Sequence, residues 1–192
     1  MDQMEIRQLV ARQRAYFQSG ATLPARARVE ALRALRSAVA AREEELNDAL
    51  RADLGKSAFE SYMCEVGMVL SELTYMIRRT PAFAADRRVR TPLAQFAARS
   101  YVKPSPYGTV LIMSPWNYPL LLTLDPLIDA LAAGNTAVVK PSAYSPATSR
   151  VIARLLAECF PPEHVSVVTG GRQENACLLE QKFDYIFFTG SQ

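Results

Sequence analysis

The stretch GTVLIMSPWNYPLLLTLDPLIDALAAGNTAVVK, residues 108–140, decides the architecture. Thr109–Met113 is a short apolar run, the pattern of a strand buried on both faces. Residues 119–133 read as a helix stopped by Gly134, and residues 136–139 as a second strand. Downstream the rhythm repeats. Ser145 and Pro146 suit the N-cap and first position of a helix running to about Cys159. Residues 165–168 then read as strand, 173–180 as helix and 185–188 as strand. Strand and helix alternating at this spacing specify right-handed crossovers and a parallel sheet. Ligands of such sheets bind beyond the carboxyl ends of the strands.

Upstream, the first eighty residues read as helices. Met1 to about Gln18 is stopped by Ser19-Gly20. A second helix opens at Pro24 and runs to about Arg51, with Leu32, Leu35, Val39, Leu46 and Leu50 on one face. Asp53-Leu54-Gly55 breaks it. A third helix is expected over 57–79, ended by Thr80-Pro81. Residues 82–99 form a connector with a basic run at Arg87, Arg88 and Arg90, and Ser100–Lys103 suits a short strand. The expected organisation is therefore a helical segment and connector over 1–99, followed by a partial nucleotide-binding domain over 100–192. The fold class is α/β: N-terminal helices packed on an incomplete doubly wound, Rossmann-like parallel sheet. The last residues, Thr189–Gln192, follow a strand directly, where a helix should begin, so the sequence reads as the front part of a longer protein.

Composition narrows the function. The single histidine, His164, excludes any site needing two imidazoles. Cys64, Cys159 and Cys177 make no Cys-x-x-Cys pair and no even disulfide set, so reduced thiols in a cytoplasmic protein are expected. The longest nearly uncharged stretch, 104–124, is interrupted by Pro and Gly, which argues against a membrane-spanning helix. Of 22 basic and 19 acidic side chains, 17 and 12 fall in residues 1–103. There the arginines interleave with glutamates at helical spacing, as a solvated helix face does. No nucleic-acid partner is expected.

The strand ends hold the chemistry. Ser114-Pro-Trp-Asn-Tyr-Pro119 pins Asn117 between two prolines and two aromatics. Its amide could donate to a developing oxyanion, or tie off local backbone; spacing fits both. Lys140, one of four lysines against eighteen arginines, ends the second strand beside Pro141 and Ser142. It could hold ribose hydroxyls or a phosphate, or simply reach solvent. Gly170-Gly171 and Gly190-Ser191 end the third and fourth strands, where glycine permits close backbone approach to a pyrophosphate. No Gly-x-Gly-x-x-Gly follows the first strand, so the standard dinucleotide fingerprint is absent.

Taken together, Pro115-Trp-Asn-Tyr-Pro119, Ala132-Ala-Gly-Asn-Thr136, Val139-Lys-Pro-Ser142 and Phe187-Phe-Thr-Gly-Ser191 resemble the aldehyde dehydrogenase superfamily in order and approximate spacing. Asp53-Leu-Gly-Lys56, Glu65-Val66 and Tyr75-Met-Ile77 resemble the short N-terminal helical segment of its class 3 branch. The resemblance implies oxidation of an aldehyde to a carboxylic acid: a cysteine attacks the aldehyde, hydride passes to NAD or NADP, and water releases the acid. It implies Asn117 as the side-chain half of the oxyanion hole. Trp116 and Tyr118 would shape the pocket around it, Trp116 also touching the cofactor. Lys140 would bind the adenosine ribose, Gly190 and Ser191 the pyrophosphate, and Met113 and Ser114 the cofactor's path, with Ser142 and Gly170 also among the cofactor-binding residues. No metal is implied, and the whole protein would be a homodimer acting on a small aldehyde.

Two departures stand out. Where the family ordinarily has Glu after Lys-Pro-Ser, this chain has Ala143, which puts selection for NAD over NADP in question. The family's catalytic Cys and general-base Glu lie downstream of Thr-Gly-Ser, beyond Gln192, so this chain by itself is expected to be inactive. A non-catalytic nucleotide-binding module is the rival reading.

Overall fold

The computed structural model describes residues 1–190. Among the described residues there are eight α-helices: α1 (Gln3–Gln18), α2 (Ala25–Ala41), α3 (Glu43–Leu54), α4 (Ala58–Ser61), α5 (Gly67–Phe83), α6 (Leu121–Ala133), α7 (Pro146–Cys159) and α8 (Arg172–Leu179). A π-helical turn, Tyr62–Val66, joins α4 to α5. The strands are β1 (Arg87–Val89), β2 (Ser100–Val102), β3 (Thr109–Met113), β4 (Thr136–Lys140), β5 (Val165–Val167) and β6 (Tyr185–Phe188).

β3 is the centre of the fold. All five of its residues are buried, and it pairs in parallel with β4 on one side and β6 on the other. With β5 beyond β4, the order is β5-β4-β3-β6. The chain steps outward from β3 to β5, then crosses back to build β6 on the opposite flank. That reversal opens a crevice between β3 and β6 at their carboxyl ends.

The period-two alternation of β3 divides the protein into two cores. Val110 and Ile112 join Ala137 and Val139 of β4 in a core built with α2, α3, α5, α6 and α7. Leu111 and Met113 join Val138 on the other face, covered by Ile6, Leu9 and Val10 of α1 and Leu178 of α8. The N-terminal helices thus pack on both faces of the sheet, α2, α3 and α5 on one and α1 on the other. Gln13 of α1 completes the second face by donating to the carbonyls of Ala137 and Pro162, at 2.9 and 3.1 Å.

Several element boundaries differ from the sequence expectation. The helix expected from Pro24 to Arg51 is two helices, because Arg42 leaves helical geometry at φ −116°. Glu43, Glu44 and Glu45 then open α3, where acidic side chains favour a helix start. Arg42 turns outward to pair with Glu158 of α7. The helix expected over 57–79 is divided by the π turn and continues through Pro81 to Phe83. Gly67 closes the π turn, where a Cβ would lie 2.8 Å from the Tyr62 carbonyl oxygen. The connector contains β1, which pairs antiparallel with β2, so residues 100–102 belong to a separate hairpin rather than to the parallel sheet.

One further residue departs from its usual chemistry. His164 packs between Tyr16 and Phe160, with ring centroids 5.6 and 5.5 Å away. Burial lowers its pKa to about 4. A histidine whose folded pKa lies below its unfolded value of 6.5 contributes stability that is present above pH 6.5 and lost as pH falls towards 4. His164→Phe should therefore recover about 2 kcal/mol of stability relative to the unmutated protein on going from pH 7 to pH 5. Chemical denaturation of both at the two pH values checks this.

Candidate active site

The carboxyl ends of the sheet strands meet at a cleft of about 230 Å³. Met113 and Ser114 enter it from β3, Lys140, Pro141 and Ser142 from β4, and Gly170 from the turn after β5. Phe188, the register partner of Met113, closes it from β6. Five of the residues singled out from sequence, Met113, Ser114, Lys140, Ser142 and Gly170, therefore line one cavity. Gly190 follows β6 just beyond Phe188 and does not line it. Ser191 lies outside the described residues.

Lys140 is buried, yet among the described residues its ammonium donates only to the adjacent Pro141 carbonyl, at 2.9 Å. Burial lowers its pKa, opposed in part by the Glu174 carboxylate. The ammonium keeps donor capacity in a confined space, which suits vicinal hydroxyls or a phosphate. The cleft thus fits the nucleotide part of a nicotinamide cofactor. Glu174 is committed elsewhere: it accepts from the Gly171 N–H at 2.7 Å and closes the start of α8. Hydrogen bonds from its own N–H and from Gly171 hold its carboxyl below the ordinary range.

The loop between β3 and α6 carries Trp116, Asn117 and Tyr118, all exposed and beside rather than within the cleft lining. Ser114 is anchored by Thr123, whose hydroxyl sits 2.7 Å from Ser114 Oγ and 2.5 Å from the Pro119 carbonyl oxygen. The Asn117 carboxamide makes no hydrogen bond to local backbone among the described residues; the bond at this position runs from Lys56 Nζ to the Asn117 main-chain carbonyl, at 3.3 Å. Its side chain is left available to an external acceptor.

Sequence reasoning missed what holds this loop. Lys56 and Glu65 form a buried ion pair, 2.6 Å from Nζ to Oε1. The other Glu65 oxygen accepts from the backbone N–H groups of Leu120 and Leu121, at 2.8 and 3.1 Å, closing the start of α6. Asp53 serves α7 in the same manner. Its carboxylate accepts from Ala147 at 3.0 Å and Thr148 at 2.7 Å. Ser145 holds the N-cap position expected of it, but its hydroxyl makes no capping bond and is buried without a partner. One sequence signal was available: lysine is scarce, and Lys56 is one of the four.

Known proteins identify the family and the fold. The chain matches the aldehyde dehydrogenase family over residues 1–192 and belongs to that family. It is 41% identical over 179 residues to the 4,4′-diaponeurosporen-aldehyde dehydrogenase of Staphylococcus aureus, covering 93% of this chain and 39% of that protein. It is 39% identical over 188 residues to the dimeric NADP-preferring aldehyde dehydrogenase of Canis lupus familiaris, covering 97% and 41%. The substrate-bound structure of Staphylococcus aureus AldH superposes with a TM-score of 0.95 at 40% identity, over all of this chain and 41% of that one. The chain therefore spans about two-fifths of the length of these relatives.

Asp53 gives the site a measurable support. Asp53→Ala leaves two N–H groups of α7 without an acceptor and should lower unfolding stability by about 1–2 kcal/mol. Asp53→Asn, which keeps an acceptor oxygen, should lose less. Urea denaturation of the two variants checks the order.

Proposed function

We propose that the protein containing this chain oxidises aldehydes to carboxylic acids with NAD or NADP. The chain supplies the oxyanion donor and part of the cofactor cleft. The observation that carries the reading is the exposed Asn117 carboxamide, held on a braced loop at the same sheet edge as the Lys140 cleft. A donor fixed in advance stabilises negative charge as it develops on the aldehyde oxygen. Lys140 binds, and Met113, Ser114 and Phe188 shape the path. The nicotinamide cofactor, when bound, accepts the hydride.

The attacking thiolate comes from outside these 192 residues on this reading. Cys64 sits in the π turn, Cys159 ends α7 beside the Ala34 carbonyl, and Cys177 packs in the second core. None is on the Asn117 loop or in the cleft lining. The reading includes a homodimer, supported by the name of the canine relative. It also includes a cytoplasmic setting, supported by three free thiols.

Asn117→Ala in the whole protein should lower kcat about 10²–10³-fold with little change in cofactor affinity, since the donor acts where charge develops. Steady-state kinetics with hexanal and benzaldehyde, beside cofactor titration, makes the test. Failure of the unmutated protein to oxidise either aldehyde while still binding cofactor would favour a non-catalytic nucleotide-binding module.

Cofactor choice rests on Ala143. It lines the cleft beside Lys140 without a carboxylate to repel a 2′-phosphate or to accept from ribose hydroxyls. Both cofactors should be used, and Ala143→Glu should shift kcat/KM towards NAD by about tenfold, the effect of one close charge at partial exposure. A strong NAD preference that Ala143→Glu leaves unmoved would assign selection to another residue.

A further inference from the structure

We propose that Lys56 and Glu65 are positioning residues for the oxyanion donor: together they set the backbone of the Asn117 loop, and so the place where the carboxamide presents its N–H. The proposal rests on the aldehyde-oxidising reading above. Pro115 and Pro119 fix their own φ angles, but the three residues between them keep their freedom. The ion pair removes it from both ends. Lys56 Nζ donates to the Asn117 carbonyl at 3.3 Å and lies 4.1 Å from the centroid of the Tyr118 ring. Glu65 Oε1 holds that ammonium, and Oε2 holds the N–H groups of Leu120 and Leu121. Residues 117, 118, 120 and 121 are thus tied to two side chains from the N-terminal helical segment.

Two observations separate this from ordinary stabilisation. Glu65 is completely buried and the Lys56 side chain is 9% exposed. A buried ion pair contributes little net stability over an apolar pair of equal volume, so stability alone does not account for it. What the pair does provide is a fixed direction for each bond. Secondly, Glu65 reaches α6 from the π turn at 62–66, which adds a residue to the helical path; together with its neighbour Val66 it is buried. Such turns recur where a side chain must be aimed.

The test uses the whole protein with Lys56→Met and Glu65→Gln, hexanal and benzaldehyde as substrates, and NAD as cofactor. Both variants should lower kcat, Lys56→Met by about tenfold or more, while KM for NAD stays within about twofold, because misplaced donors cost turnover rather than cofactor binding. Hydrogen–deuterium exchange should accelerate in residues 115–123 and stay unchanged in β3 and β4. The proposal is overturned by kcat within about twofold of the unmutated protein with unaltered exchange at 115–123. It is equally overturned by a loss of kcat that tracks a fall in Tm with exchange raised throughout. Glu65→Gln retains an acceptor for Leu120 and Leu121, so it decides the matter if Lys56→Met does not fold. If the unmutated protein oxidises neither aldehyde, the functional reading falls. Exchange raised only at 115–123 then still supports the hold on the loop, and unchanged exchange overturns it.

Discussion

A carboxylate with no exposed surface, Glu65, has to be answered by hydrogen bonds on both oxygens, because an unpaired charge in the interior costs several kcal/mol. Its answers are Lys56 and the first two N–H groups at the start of α6. That requirement fixes how the N-terminal helices meet the sheet domain. Glu65 reaches these partners from the π turn, which Gly67 closes without a Cβ to meet the Tyr62 carbonyl. The loop that carries Asn117 is suspended between β3 and this one buried charge.

The same device recurs at each helix start on the ligand edge. Glu65 closes α6, Asp53 closes α7, and Glu174 closes α8. In a common dinucleotide-binding sheet the first of these starts is left open for a pyrophosphate. Here all three positive ends already face carboxylates, which gives a physical reason for the missing Gly-x-Gly-x-x-Gly. Lys140, buried with the Pro141 carbonyl as its one partner among the described residues, and the exposed Arg172 are the cations that line the cleft and can meet an anionic or hydroxyl-rich ligand.

Much of this was legible before the structure. The run Thr109–Met113 announced a strand buried on both faces, and its alternation does divide two cores. The alternating elements from 108 to 188 gave the parallel sheet; Lys140 and Gly170 stood out by their places at strand ends, and the family resemblance added Met113, Ser114 and Ser142 to the five cleft residues. What was not legible is the cross-chain chemistry. Local pattern assigns the α7 cap to Ser145, whereas an acceptor 94 residues upstream of Ala147 takes the bond instead. Likewise Lys56 and Glu65 were singled out only as part of the family resemblance and without a role, because nothing in the local pattern reports partners 55 and 61 residues away. The split at Arg42 did leave a trace, in three consecutive glutamates.

The placement of α1 has a consequence for the order of assembly. The helix is synthesised well before the strands and the helix that complete the surface it covers. Gln3 meets Glu180 across 177 residues, and Gln13 meets Ala137 across 124. Closing contacts so distant in sequence is slow, because the entropy of the intervening chain is lost before the contacts return anything. The face of the sheet bearing Leu111, Met113 and Val138 is therefore shielded from water by α1 only once these distant contacts close. Until then it is an open apolar face of the kind that associates with other chains.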